Sequence, residues 1–287
     1  SAADNVSPTI VSSSPADNAT GVAVDANIVL TFNENVDAES GNITLFKTGG
    51  ATAETIAVGS GLVSVSGNVV TINPNSPLDS AQGYYVQIAA SGFDDVAGNS
   101  FAGINDATTL NFTAADVAGP TLSSSTPADN ATGVAVDANI VLTFDENVVA
   151  GSGNITLKKS SDNSTVEAMA VGGANVSISG AAVTVNPTAN LDSSQGYYLQ
   201  IAATAFDDAS GNSYAGINDT TTLNFTAADV VGPTMAITST TSGVSSGAAT
   251  NDSTINLTFT ANEAATGFVV GDITVTGGSL SSFATVS

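Results

Sequence analysis

Residues 14–36 read SPADNATGVAVDANIVLTFNENV and residues 126–148 read TPADNATGVAVDANIVLTFDENV. Only two positions differ, Ser14 against Thr126 and Asn33 against Asp145. Working outward, residues 83–120 and 196–233 match at 30 of 38 positions. Asp25 pairs with Asp137 at an offset of 112, and Gly83 pairs with Gly196 at 113. One residue is therefore inserted between the two blocks. A repeat of about 113 residues is the size of a domain and far longer than a solenoid repeat. Identity this close marks a recent duplication.

Each unit reads as short strands. In residues 26–33 Ile28, Leu30 and Phe32 alternate onto one face, which is the period-2 signature of a half-buried strand. The same alternation places Ile43 and Leu45 inward in 42–47, Tyr84, Val86 and Ile88 in 83–90, and Leu110 and Phe112 in 108–114. Residues 8–13 open the unit, 14–25 form a turn and 52–58 a short edge strand. Val63 to Ile72 folds as a hairpin around Ser66-Gly67-Asn68. Seven or eight strands per unit predict an all-β chain of tandem immunoglobulin-like β-sandwiches in a rod.

Composition narrows the chemistry. Of 287 residues, Lys plus Arg is 3 and Asp plus Glu is 26, for a net charge of -23, and His, Cys and Trp are absent. Nucleic acid is excluded because nothing can replace its counterions. An anionic membrane surface is disfavoured for the same reason. Zinc and copper sites lack imidazole and thiolate, and a Ser-His or Cys-His nucleophile cannot form. No apolar run reaches the roughly 18 residues of a membrane helix, so no membrane insertion is expected. The 42% hydrophobic content separates the chain from disordered acidic tails.

Four strings carry a family resemblance: Ser14-Pro-Ala-Asp-Asn-Ala-Thr-Gly-Val22, Leu30-Thr-Phe-Asn-Glu-Asn-Val36, Asp95-Val-Ala-Gly-Asn99 and the closing Asn111-Phe-Thr113. Over residues 8–233, twice, the chain resembles bacterial Ig-like domains of the S-layer type. Residues 234–287 look like a second bacterial Ig-like family, common in giant secreted adhesins. The resemblance implies an extracellular module in a repeated array and fixes no ligand.

The expected division is a closing motif of a preceding unit at 1–4, unit one at 5–116, unit two at 117–229 and a partial unit three at 230–287. In unit three Ile255–Phe259 matches Ile28–Phe32, and Gly271–Val275 matches Gly41–Leu45. The third sandwich is expected to be incomplete, as a slice of a longer array, with end-to-end assembly through strand addition as the runner-up.

Loop placement gathers the acids. With strands reversing direction, the loop after residue 33 and the loop 91–107 lie at the end where the chain enters each unit. They carry Glu34, Asp94, Asp95 and Asn99 in unit one, and Glu146, Asp207, Asp208 and Asn212 in unit two. The linker residues Asp4 and Asp116 enter beside them, and Asp229 and Glu263 stand at the third entry. Calcium takes six to eight hard oxygens from such groups, and clustered carboxylates without a cation repel. The alternative is solvated surface charge, since the spacing does not match an EF-hand.

No catalytic residue is predicted. Adjacent Asp94-Asp95 does not reproduce the cleft-spanning carboxylates of a glycosidase. Lys47 and Lys159 occupy equivalent positions and could crosslink to an Asn, although surface lysines on an edge strand are the plainer reading. The expected function is a non-enzymatic extracellular structural protein of the bacterial surface, an adhesin stalk, S-layer or filament subunit stiffened by calcium. Its partners would be neighbouring repeats or copies of the same protein, with a surface glycan as a further candidate. The alternatives are a glycan- or receptor-binding module using the end loops, and an accessory region of a secreted enzyme.

Overall fold

A computed structural model describes residues 4–284. Of the closing motif expected at 1–4, residues 1–3 lie outside the described residues. Unit one contains β1 (Ile10–Ser14), β2 (Ala19–Val22), β3 (Ile28–Phe32), β4 (Val36–Ala38), β5 (Asn42–Lys47), β6 (Thr52–Ala57), β7 (Val63–Ser66), β8 (Val69–Ile72), β9 (Gly83–Ile88), β10 (Phe93–Asp95) and β11 (Asn111–Ala114). One sheet has the order β1-β3-β8-β7 and the facing sheet β2-β11-β9-β5-β6. A small ribbon of β10 and β4 closes the entry end.

The alternation that predicts the strands also builds the core. Leu30, Phe32, Val70, Ile72 and Val86 are fully buried between the sheets, joined by Ile43, Leu45, Tyr84 and Phe112. Burying an aliphatic side chain of this size is worth about 1.5–3 kcal/mol. The Tyr84 hydroxyl accepts the Asp79 backbone N–H at 2.8 Å, so the one polar atom of that ring also anchors the turn before β9.

Unit two repeats the design with β12 (Leu122–Thr126), β13 (Ala131–Val134), β14 (Ile140–Phe144), β15 (Val149–Ala150), β16 (Asn154–Lys159), β17 (Thr165–Ala170), β18 (Val176–Ser179), β19 (Ala182–Val185), β20 (Gly196–Ile201), β21 (Phe206–Asp207) and β22 (Asn224–Ala227). Its sheets have the orders β12-β14-β19-β18 and β13-β22-β20-β16-β17. The core is separate and equivalent. All-β tandem sandwiches are therefore what the chain forms.

Three strands of each unit differ from the sequence expectation. The stretch read as a turn over 14–25 contains β2, which pairs parallel with β11. Its Ala-Thr-Gly-Val has no alternating pattern, and Gly21 sits at φ +67°, where glycine carries no Cβ penalty. Strands β4 and β10 pair with each other, Asp94 opposite Asp37. Acidic three-residue strands carry no propensity signal, and tertiary pairing makes them.

The loop 91–107 is ordered as expected. Phe93, Phe101 and Ile104 are buried, and Phe32 meets Phe101 edge-on at 5.3 Å. Gly103, at φ +77°, lets the loop approach β9, since a Cβ there would meet the Ile88 carbonyl oxygen at 2.6 Å.

Lys47 pairs with Asp79, and Lys159 pairs with Asp192 at 2.6 Å, so their partners are aspartates and not the asparagine considered for a crosslink. Their strands are also interior to the sheets, not at an edge.

In unit three, β23 (Met235–Ser239) pairs antiparallel with β24 (Leu257–Ala261). Gly271–Val275 does not form the matching strand. Residues Val270–Asp272 make a 3-10 turn, because no strand lies beside them to pair among the described residues. Ile255, Leu257 and Val275, which match the inward-facing Ile28, Leu30 and Leu45 of unit one, are exposed for want of an opposing sheet.

Candidate metal centre

The ribbon at the entry end sets which acids converge. Along β10 Phe93 and Asp95 are buried while Asp94 points outward, as alternation along a strand requires. Phe93 packs at 5.7 Å on Phe32, and this contact fixes Asp95 two residues later.

Asp95 is 5% exposed and Asp208 3%. Asp95 Oδ1 accepts the backbone N–H groups of Ala97 at 2.8 Å and Asn99 at 2.7 Å, and its Oδ2 accepts the Asn99 side-chain amide at 2.7 Å. Asp208 holds Ser210 and Asn212 in the same way, at 2.8 Å each. These bonds hold the Asp95 carboxyl below its ordinary range, the Asn99 amide first, against an opposing push from burial. For Asp208 burial is the largest influence and pushes up, yet the donors from Asn212, Ser210 and Gly211 together prevail and leave it lowered.

Carboxylate oxygens of Asp4, Glu34 and Asp95 lie within 4.8 Å of one another, as do those of Asp116, Glu146 and Asp208. The linker aspartate thus meets two acids of the unit it enters. The Asn99 amide nitrogen also donates to the Asp4 carbonyl at 3.2 Å, and that of Asn212 to the Asp116 carbonyl at 3.2 Å. Asn99 and Asn212 therefore fasten linker to loop through their nitrogens.

Among the described residues no lysine pairs with the acids of the unit-two group. Burial, then Asp208, Asp116 and Asp145, raise the Glu146 carboxyl above its ordinary range. At the third entry Glu263 is likewise raised, by burial and by its hydrogen bond with Asp229, while Asp229 is lowered chiefly by the Val231 N–H.

Asp94 and Asp207 stand outside both groups. Asp94 faces Asp37 across the ribbon, and Asp207 accepts the Ser213 hydroxyl at 2.5 Å. Sequence reasoning missed Ser80, whose hydroxyl donates to Asp116, and Ser193, which does the same for Asp229. A serine in a turn gives no signal of this kind.

The donor set suits a hard divalent cation. Ligands in one calcium shell, each at about 2.3–2.6 Å, lie up to about 5 Å apart. A carboxylate offers about four acceptor positions, and Asp95 and Asp208 have each spent three on their loops. One position on each Oδ2 remains, together with Asp116 Oδ2 and both oxygens of Glu146.

A bacterial Ig-like domain family matches residues 4–114 and 116–227, and a second bacterial Ig-like domain family matches 229–287. The chain belongs to the bacterial Ig-like domain family. Both full matches take in the linker aspartate with the unit that follows it.

No curated protein matches the chain. Among solved structures it is similar to the N-terminal part of the bacterial S-layer protein SbsC, at 16% identity over 65% of this chain and 42% of that one, with a TM-score of 0.28. Domains 1–6 of SbsC match at 16% over 90% of this chain and 46% of that one, TM-score 0.29. The BSP domain of a biofilm associated protein matches at 16% over 75% of this chain and 29% of that one, TM-score 0.21. The chain spans less than half the length of each. Alignments this partial leave function to the chain's own residues.

Proposed function

We propose that the chain is a non-enzymatic structural segment of a bacterial cell-surface protein, a tandem Ig-like array whose entry ends bind calcium. The observation that carries this reading is the grouping of Asp116, Glu146 and Asp208, repeated by Asp4, Glu34 and Asp95. Each group joins a linker residue to two loops of the following unit. A cation there would neutralise the repulsion that adds to burial in raising Glu146, and would tie linker to sandwich. The buried member of each group is held ionised by its own loop, the form in which a carboxylate ligates a cation.

Calorimetric titration of the chelator-treated chain with calcium tests the reading. Binding at two or more sites that is lost in a Glu34→Gln, Glu146→Gln variant supports it. Absence of binding, with no change in melting temperature on chelation, refutes it.

A further inference from the structure

The outer face of the five-stranded sheet differs between the two units, although the strands beneath are nearly identical. In unit one Phe46 and Tyr85 sit directly opposite each other on β5 and β9, with ring centroids 5.0 Å apart and planes 13° from parallel. Both rings are partly exposed. Beside them lies a cavity of about 230 Å³ lined by Thr48, Gly49, Tyr85, Ala107 and Asn111.

In unit two the face is closed. Lys158 replaces Phe46 and lies over the Tyr198 ring at 6.0 Å. The inserted residue falls in the loop 160–164, and its Asn163 accepts the Tyr198 hydroxyl at 3.1 Å. Tyr198 is 2% exposed as a result. Gln200 is also engaged, accepting from Lys158 at 3.3 Å and donating to the Asn218 carbonyl at 3.0 Å. Among the described residues the counterparts in unit one, the Tyr85 hydroxyl and the Gln87 amide, have no protein partner.

We infer that the Phe46–Tyr85 face of unit one binds a neutral saccharide, with a pyranose ring stacked on the aromatic pair. The negative face of an aromatic ring attracts the polarised C–H bonds of a sugar's apolar side. Ligand sites combine such apolar area with a few placed polar groups, here the Gln87 amide and the Tyr85 and Thr48 hydroxyls, while the Asn111 amide is held by Asp17 Oδ1 at 2.9 Å. The exposed carboxylate of Asp17, bonded to Asn111 at the border of the face, and the chain's net charge of -23 both oppose an acidic polysaccharide. A donated strand would need a sheet edge, whereas β5 and β9 are interior. The inference is independent of calcium at the entry ends.

Saturation-transfer NMR tests it, using the full chain with neutral hexasaccharides of glucose, N-acetylglucosamine, mannose and xylose at about 5 mM, enough to see a millimolar Kd. Transfer to at least one of them is expected. Phe46→Lys, which installs the side chain that unit two already tolerates, should abolish the signal, and Lys158→Ala should preserve it. The absence of transfer from every sugar overturns the assignment, and so does transfer that persists in a folded Phe46→Lys chain. If sedimentation shows self-association that Phe46→Lys removes, with no sugar signal, the face belongs to a second copy and the assignment is equally overturned.

Discussion

Ser80 Oγ donates to Asp116 Oδ1 at 2.8 Å and accepts the Val117 N–H at 2.8 Å, so one hydroxyl at the exit of unit one holds the residue that enters unit two. Ser193 and Asp229 repeat this at the next junction. A hydrogen bond to a charged group contributes about 1.5–3 kcal/mol at most, and less at an exposed site. Ser80→Ala is expected to cost about 1 kcal/mol locally, roughly a fivefold faster hydrogen exchange at the Val117 amide, with the cores unaffected.

Glu146→Gln separates electrostatics from architecture. Without calcium the substitution removes a carboxylate raised by its burial and its acidic neighbours, so the chelated variant should melt above the chelated parent. With calcium at about 100 times its Kd the parent should gain up to about 2.7 kcal/mol per site, and the variant should lose that gain at its second site. Paired melts with calcium and with chelator measure both signs at once.

Parity along a short strand predicts opposite behaviour for adjacent acids. Asp95→Ala deprives three donors of a buried acceptor and should cost about 1.5–3 kcal/mol in urea unfolding. Asp94→Ala removes a charge that faces Asp37 and should be neutral or slightly stabilising, within about 0.5 kcal/mol.

Acid stability should fall in a defined window. Asp106 and Asp219 are held down to about 2 from 3.8, first by the N–H groups of Thr108 and Thr221 and then by the Thr109 and Thr222 hydroxyls. A depressed pKa stabilises fully above the unfolded value and is lost as pH falls through the folded one. Melting temperature should therefore drop between 3.8 and about 2, and less steeply in an Asp106→Asn, Asp219→Asn chain. Glu146 and Glu263 act with the opposite sign. Their folded forms hold protons more readily, so without calcium they lower stability as pH rises past 4.5.

The sheets were legible because Ile28, Leu30 and Phe32 alternate and nothing in their surroundings opposes a strand. The short pairings were not, since Val36–Ala38 and Phe93–Asp95 form strands only by meeting each other. The acidic ends followed from topology, which placed Asp116 beside Glu146 and Asp208. Which of Asp94 and Asp95 turns inward depends on β10, invisible in the sequence, and on Phe93 filling the core. The contrast between Tyr85 and Tyr198 was hidden for another reason. Both lie in the same Gly-Tyr-Tyr context, and the difference comes from a loop more than 30 residues earlier in the chain.

The parallel pairing of β2 with β11 has a mechanical consequence. The first strand of that sheet and the last run side by side in the same direction, tied by the Asn18 N–H to the Asn111 carbonyl and the Ala115 N–H to the Val22 carbonyl, both at 2.7 Å. Tension applied along the backbone pulls one strand backwards and the other forwards. The bonds between them are then loaded in shear and must yield together, whereas a hairpin pulled from its open end would unzip one bond at a time. Unit two carries the same pair, Asn130 to Asn224 and Ala228 to Val134, so each unit places a shear clamp across its own ends.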